Sequence, residues 1–498
     1  MSTANLRKRL VQIDVEIVKY KSAISWLEQH RVAVQHQLHA IARFPVLTLP
    51  IEITAEIFSL CLPTIRELRE NGHSAAESFK SPPMLFTAVC RTWREIAIAM
   101  PPLWAKFQLR LDTVTQRVAS EPEMIEEFIE QWLGRAASRP LSIMFHTSRY
   151  WDDDYTVTTG RLRDIIHRYA PRIAYLELHS TQNQIRELAL DSAAFPQLQR
   201  ACIGDLYSPA PDPLNPVNIF SNAPRLAELK LFDSAVYSSY TLPSLQLTKF
   251  EGEIKNLELF SLAPNLVEVE CSVEYLENDP PSVISHPRLE SLTLSESPSG
   301  VEPENILPHL ALPALHSLDI AAIVSDEIVV PLSLGSFLAR STAPLRTLVA
   351  NVNKGSYYDW VEQRLSHIED TLENLMVYNL SETFLHGVMS LGSELPPYPC
   401  FPRLQHLSLK NSPNTNYKLL VDFLYKRSTS VQFAKLRSFH LTCENGTFLD
   451  DAFYVAQPGH VGEVVDHLAE LASAGMDICI HSHRAKPHVN HVRSRESC

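Results

Sequence analysis

Glycine is scarce in this chain, with 14 residues in 498 against 34 prolines, where average usage would give about 35 glycines and about 25 prolines. That shortage weighs against folds that cradle phosphates in glycine-rich loops, since only glycine lets a backbone approach a pyrophosphate closely. The sequence has no GxGxxG, no P-loop pattern and no GxSxG elbow, the three local signatures that pair glycine with nucleotide or acyl-transfer chemistry. Its eight cysteines are scattered without a CxxC, so neither a zinc ribbon nor a disulfide framework is indicated, and reduced thiols point to a cytoplasmic or nuclear setting. An apolar signal core and any apolar run of membrane-spanning length are also lacking. Without a secretory signal, Asn379-Leu-Ser381 and Asn445-Gly-Thr447 are discounted as glycosylation acceptors. Positive charge is short as well. The net charge is −13, and because residues 1–44 carry +4 the remainder carries −17, a balance that disfavours a nucleic-acid surface.

What is present begins with a heptad. Leu6, Leu10, Ile13, Ile17, Tyr20, Ile24, Leu27, Arg31, Val34, Leu38 and Ile41 recur at alternating spacings of four and three. Leu10, Ile17, Ile24, Arg31 and Leu38 fall at a positions, with no glycine or proline before Pro45. Two readings stand: a short coiled coil that makes residues 1–44 a homodimer contact, weakened by Arg31 in the seam, or an amphipathic helix that packs on the chain's own neighbouring segment.

A helical stretch follows. Pro50 suits a first helical position, Glu52 and Glu56 suit its positive end, and Ile53, Ile57 and Leu60 share one face. After a polar stretch to Pro83, Leu85, Val89, Trp93 and Ile96 are spaced as one face of a second helix, and Pro101-Pro102-Leu103-Trp104 closes the segment. Leu49, Pro50, Glu52, Ile53, Ile57, Phe58, Val89, Cys90, Trp93, Arg94, Leu103 and Trp104 together resemble the F-box. The stretch near 63–83 is longer than the family's loop. With a heptad helix in front and Gln131-Trp132-Leu133 through Pro140-Leu141-Ser-Ile143 behind, the chain looks like the expanded F-box group of mushroom-forming fungi. The resemblance implies a three-helix module over 45–108 that docks a Skp-type adaptor, and through it a cullin–RING ubiquitin ligase. The implied contacts are Leu49, Pro50, Ile53, Ile57, Leu60, Val89, Cys90, Trp93, Leu103 and Trp104. A cysteine such as Cys90 on an apolar face is read as a small hydrophobe, not a nucleophile.

From about 165 to 480 one phrase returns, Pro-x-Leu-x-x-Leu-x-Leu. It is plain at Pro224-Arg-Leu226, Pro287-Arg-Leu289 and Pro402-Arg-Leu404, with looser copies starting at Ile173, Leu198, Leu245, Leu266, Leu315, Leu345, Leu372 and Leu436. The final Leu-x-Leu alternates as a short strand with those leucines inward, and proline two residues ahead of the first Leu punctuates the spacing. The phrase resembles a leucine-rich repeat, whose period is about 20–29 residues. It departs in its wandering spacing and in having Ser234, Ser297 and Ser412 where the family's asparagine ladder would stand. An irregular solenoid is therefore expected, with a conventional α/β domain as the alternative. In such a stack the residues alternating with the leucines face the concave, partner-binding side: Glu177, Glu228, Lys230, Glu251, Glu268, Glu270 and Asp319 early, then Asn374, Met376, Tyr378, His406, Lys410 and His440. The expected target contacts are Glu228, Glu268, Glu270, Asn374, Tyr378 and His406, with an acidic early half suited to a basic partner or merely solvated.

The remaining clusters point elsewhere. Cys479, His481, His483, His488 and His491 lie among basic residues and read as a tail over 481–498, not a zinc site. Trp151-Asp152-Asp153-Asp154-Tyr155 reads as a solvated loop. No catalytic residue, cofactor, metal or membrane partner is marked. The expectation is an α/β chain: a heptad helix over 1–44, the three-helix module over 45–108 with its insertion, a connecting segment over 109–164, and the solenoid over 165–480. It would be the non-enzymatic substrate receptor of a cullin–RING ligase. The alternatives are a non-degradative leucine-rich scaffold, and an enzyme whose site is assembled from dispersed residues.

Overall fold

The computed structural model describes residues 3–41, 48–71, 82–110, 122–146, 156–205, 216–233, 235–273, 282–295, 303–320, 334–351, 366–378, 401–410, 417–431, 433–443 and 467–482. The chain divides into two compact units. One holds Met1–His73, Glu77–Trp104 and Arg135–Ala137; the other holds Ser74–Ala76, Ala105–Gly134 and Ser138–Cys498.

The first unit is helical. α1 runs Thr3–Ile41 without interruption, and every side chain from 5 to 37 is exposed. The reading in which this helix packs on a neighbouring segment is therefore not met among the described residues. α2 (Ile51–Leu60), α3 (Ile65–Asn71), α4 (Met84–Val89), α5 (Arg91–Ile98) and α6 (Pro101–Trp104) follow. The expected insertion thus contains a helical turn at its start, while 72–81 lie outside the described residues. The single second helix expected from the spacing is two helices. Cys90 adopts an extended conformation between them, and its thiol accepts the Trp93 amide hydrogen at 3.4 Å as the N-cap of α5. The break puts Phe86 and Ile96 in the core and leaves Leu85 and Val89 outside.

The second unit mixes helices with parallel strands. The helices are α7 (Pro122–Arg135), α8 (Thr156–Tyr169), α9 (Gln182–Glu187), α10 (Glu258–Leu262), α11 (Leu334–Ser341) and α12 (Tyr417–Thr429). The strands are β1 (Lys106–Arg110), β2 (Leu141–His146), β3 (Ile173–Ser180), β4 (Arg200–Asp205), β5 (Val217–Asn218), β6 (Glu228–Asp233), β7 (Tyr240–Thr241), β8 (Lys249–Ile254) and β9 (Glu268–Val273). They continue with β10 (Ile284–Ser285), β11 (Ser291–Ser295), β12 (Leu310–Ala311), β13 (Ser317–Asp319), β14 (Thr347–Asn351), β15 (Asn374–Tyr378), β16 (His406–Lys410), β17 (Ser438–Cys443) and β18 (Asp477–Ser482). Fourteen of them form one parallel sheet whose spatial order follows the chain order, while β5–β7 and β10–β12 make two small pairs.

The sheet therefore starts at Lys106, ahead of the expected start near 165, and β18 carries it through His481 and Ser482, which belong to the sheet and not to a tail. The Asp-rich loop at 151–155, the tail from 483, Asn379, Asn445 and the serines at 234, 297 and 412 lie outside the described residues. No helix among the described residues is long and apolar enough to cross a membrane.

The leucine phrase maps onto the strands directly. Leu226, Leu229 and Leu231 are buried, as are Leu289, Leu292 and Leu294, and Leu404, Leu407 and Leu409. One frame is corrected: Leu245 is 69% exposed, and Leu247 leads that unit into Phe250. The proline acts in a turn. Leu198, Leu226, Leu266, Leu315 and Leu404 each donate their amide hydrogen to the carbonyl three residues back, with Pro196, Pro224, Pro264, Pro313 and Pro402 in the second turn position. Proline's fixed φ is already that of this position, so the turn is formed at little entropic cost. Just ahead of each strand of the large sheet from β4 to β16 one carbonyl serves two donors of the next unit, as Gln199 O does for Ala227 N and Glu228 N, and Val267 O for Glu290 N and Ser291 N.

Several turn carbonyls are capped individually by long side chains. Gln246 Nε2 donates to Ala223 O at 2.8 Å, His286 Nε2 lies 3.1 Å from Ala263 O, and the buried Arg427 donates to Phe401 O at 2.6 Å. Each adds a second hydrogen bond to a carbonyl that already accepts the turn amide of Leu226, Leu266 or Leu404, a net gain of about 1 kcal/mol apiece. The inward cysteine Cys271 is enclosed, and its thiol is pushed up to about 12, first by burial and then by Glu270, which makes it a packing group and not a nucleophile.

Candidate docking surfaces

In the helical unit the aromatic side chains form the interior. Phe58 of α2 stacks on Phe86 of α4 with centroids 4.1 Å apart, and Trp93 of α5 meets Phe58 edge-on at 5.0 Å. Trp104 is fully buried and donates its indole hydrogen to Ala97 O at 2.8 Å, with Leu103 buried beside it in sequence. α2 presents Thr54 and Phe58 inward, while Ile53, Ile57 and Leu60, spaced as a second face of the same helix, point outward, Leu60 to 77% exposure. Leu85 and Val89 are the exposed pair on α4.

The expected adaptor contacts therefore separate. Ile53, Ile57, Leu60 and Val89 lie on the surface, Pro50 is exposed at the mouth of α2, and Leu49, Cys90 and Trp93 are half-buried. Leu103 and Trp104 are corrected to core residues: burial and the indole hydrogen bond remove them from any surface contact.

In the second unit the register brings the alternate residues of neighbouring strands into cross-strand rows. One row runs Tyr175, Arg200, Glu228; further along the sheet Lys249 stands opposite Glu268, and Asn374 opposite His406. A second row brings Glu177, Cys202 and Lys230 together. All six expected target contacts lie on this alternate face. The expected acidic field is largely cancelled there. Glu228 pairs with Arg200 at 3.0 Å, Glu268 with Lys249 at 2.5 Å, and Glu251 with Lys230. Glu270 differs: its carboxyl is held above the ordinary range, first by lost hydration and then by nearby Glu251. Such partly exposed cross-strand pairs contribute little stability, but they leave few bare carboxylates to attract a basic partner.

The later rows are polar and internally bonded. Asn374 Nδ2 donates to Thr347 Oγ1 at 2.9 Å, His406 Nδ1 lies 2.7 Å from Ser438 Oγ, and Lys410 Nζ donates to the Tyr378 hydroxyl at 3.1 Å while lying over its ring. Glu177 is the exception to a surface reading. It takes the expected face but is 1% exposed, with His146, His179 and Tyr175 around it. Tyr175 titrates well above the ordinary phenol range, first through burial and then through Cys202 and Glu177, so it donates to the Glu177 carboxylate.

His146 and His179 were not singled out in the sequence. The local signal is Glu177-Leu-His179, two strand positions apart and hence on one face; His146 joins them only through the pairing of β2 with β3. No family model matches the chain, and no curated protein matches it.

Proposed function

We propose that this chain is the non-catalytic substrate receptor of a cullin–RING ubiquitin ligase. In this reading a Skp-type adaptor docks on the helical unit, and the strand phrases form an irregular leucine-rich repeat solenoid whose alternate face presents a target protein. The observation that carries it is the outward row Ile53, Ile57 and Leu60 on α2, backed by a complete aromatic interior of Phe58, Phe86 and Trp93. A small unit that fills its core and still leaves large aliphatic side chains in water supports a partner helix over that face. The chemistry would belong to other subunits. The receptor raises the local concentration of a target lysine near a charged conjugating enzyme.

The test is co-purification of the full chain with a Skp-type adaptor. Ile57→Ala and Val89→Ala are each expected to weaken capture by about 30-fold, the size of an interface hot spot, while stability moves by no more than about 0.5 kcal/mol because both side chains face water. Capture that survives both substitutions overturns the reading. A target whose level stays unchanged when capture is lost favours the non-degradative scaffold instead.

The exposure of α1 supports a second contact of the same receptor, a parallel, in-register coiled coil with another copy. In that alignment each g position faces the e position five residues on in the second helix. Arg9 then meets Asp14 of the second copy and Glu16 meets Lys21, two pairs of opposite charge. Light scattering on the full chain is expected to give twice 56.3 kDa, and Ile17→Asp with Ile24→Asp is expected to return it to a single chain. A wild-type chain that stays single at tens of micromolar excludes the coiled coil.

A further inference from the structure

Two histidines and a carboxylate converge inside the sheet unit in a way that the docking reading does not use. Glu177 and His179 stand two positions apart on β3 and so share a face, and the parallel register sets His146 of β2 opposite His179. His179 Nε2 lies 3.1 Å from Glu177 Oε1, His146 Nε2 lies 3.7 Å from the same oxygen, and one ligand atom from each of the three falls within 4.8 Å of the others. The rings stack at 3.9 Å with 14° between their planes, and both Nε2 atoms lie within 4 Å of Glu177 Oε1.

We infer that His146, Glu177 and His179 form a binding site for a divalent transition cation of the zinc class. The donor set is two imidazole nitrogens and one carboxylate oxygen, three protein ligands with room for a water as the fourth. Imidazole donors select zinc-class ions over calcium or magnesium, which take oxygen.

The surroundings hold each donor in place. The Tyr175 hydroxyl donates to Glu177 Oε2, which leaves Oε1 facing the two imidazoles. Asp233 Oδ2 lies 3.8 Å from Nδ1 of His179, on the far side of the ring from Glu177. A carboxylate behind a ligating histidine orients the ring and raises its basicity. Phe232 packs against the His179 ring at 4.1 Å. His179 reaches the surface with a fifth of its side chain, which supplies an entry path.

The test uses the full chain stripped with chelator and titrated with Zn2+ by calorimetry, with bound metal counted by mass spectrometry. About one equivalent per chain is expected. Glu177→Gln and His179→Ala are each expected to weaken binding at least about tenfold, and Asp233→Asn, a positioning change that keeps the fold, by about tenfold. His488→Ala with His491→Ala serves as a control in the tail and is expected to leave that equivalent intact. Loss of the equivalent only in the tail variant overturns the site, as does no saturable binding in the wild type, which would leave a hydrogen-bonded His–Glu–His cluster. Co2+ on the wild-type chain gives a readout independent of variant folding. The expected spectrum has ligand-field bands without thiolate charge transfer, and a thiolate band would show that Cys202 or another cysteine is the ligand.

Discussion

Trp104→Ala is expected to destabilise the chain by about 3–5 kcal/mol, the range for a large aromatic removed from a packed core. The side chain is fully buried, and its indole hydrogen bonds Ala97 O at 2.8 Å. Truncation would leave a cavity and remove one of the two hydrogen bonds to Ala97 O, which Met100 N reaches at 3.3 Å. The measurement is the urea midpoint of the helical signal by circular dichroism, compared with Ile57→Ala, which should barely move it. The contrast separates two roles that the motif merges. The closing Leu103-Trp104 would hold the helical unit together, and the outward row on α2 would meet the adaptor. A loss below about 1 kcal/mol for Trp104→Ala would place that residue outside the core and return it to the docking face.

Gly252→Ala should cost about 2–5 kcal/mol, combining backbone strain with overpacking. Gly252 sits in β8 at φ +153°, and a Cβ there would stand 2.8 Å from Leu231 Cβ and 2.9 Å from Leu231 O. The regular pairing of β6 with β8 ends one residue earlier, at Lys230 opposite Glu251. Leu231 Cβ and O are both fixed by the Leu231 backbone, so no side-chain rotation makes room. Gly160 in α8 is the control of opposite sign, with nothing within 4 Å of its added Cβ. Gly160→Ala is expected to stabilise by about 0.4–1 kcal/mol through a less flexible unfolded chain. Thermal melts of the two variants, moving in opposite directions, would check both. Equal and small shifts would show that the strands part enough to admit the methyl.

Among the described glycines, Gly252 is held by a neighbouring backbone, Gly204 lies against the Phe232 ring, Gly475 takes a φ of +96°, and Gly134 and Gly160 face open space. Composition cannot tell them apart, and contact and backbone angle can.

The leucine phrases were legible because each is local. Leu-x-x-Leu-x-Leu fits within one turn and one strand, and burial follows its alternation from Leu226 to Leu441. The unit at Leu245 was misframed because Pro243 and Leu245 imitate the phrase while the turn lies two residues later, with Leu247 N bonded to Ser244 O. The same kind of periodicity ran past the break at Cys90, where a thiol cap lets two short helices follow each other with no proline or glycine to announce the end of the first.

What the sequence by itself determined is whatever has a period shorter than one element: the long N-terminal helix, the strands, the turn prolines and the face each strand residue takes. Tertiary structure decided the rest. It made Trp104 core and left Ile57 outside, paired Glu228 with Arg200 and so cancelled an acidic field, and set His146 beside Glu177 and His179. The physical reason is range. Alternation tells a side chain which face of the sheet it takes, but its neighbour across the strand gap comes from a segment some thirty residues away. That neighbour is chosen by register and by the packing of everything between, and no local spacing records it.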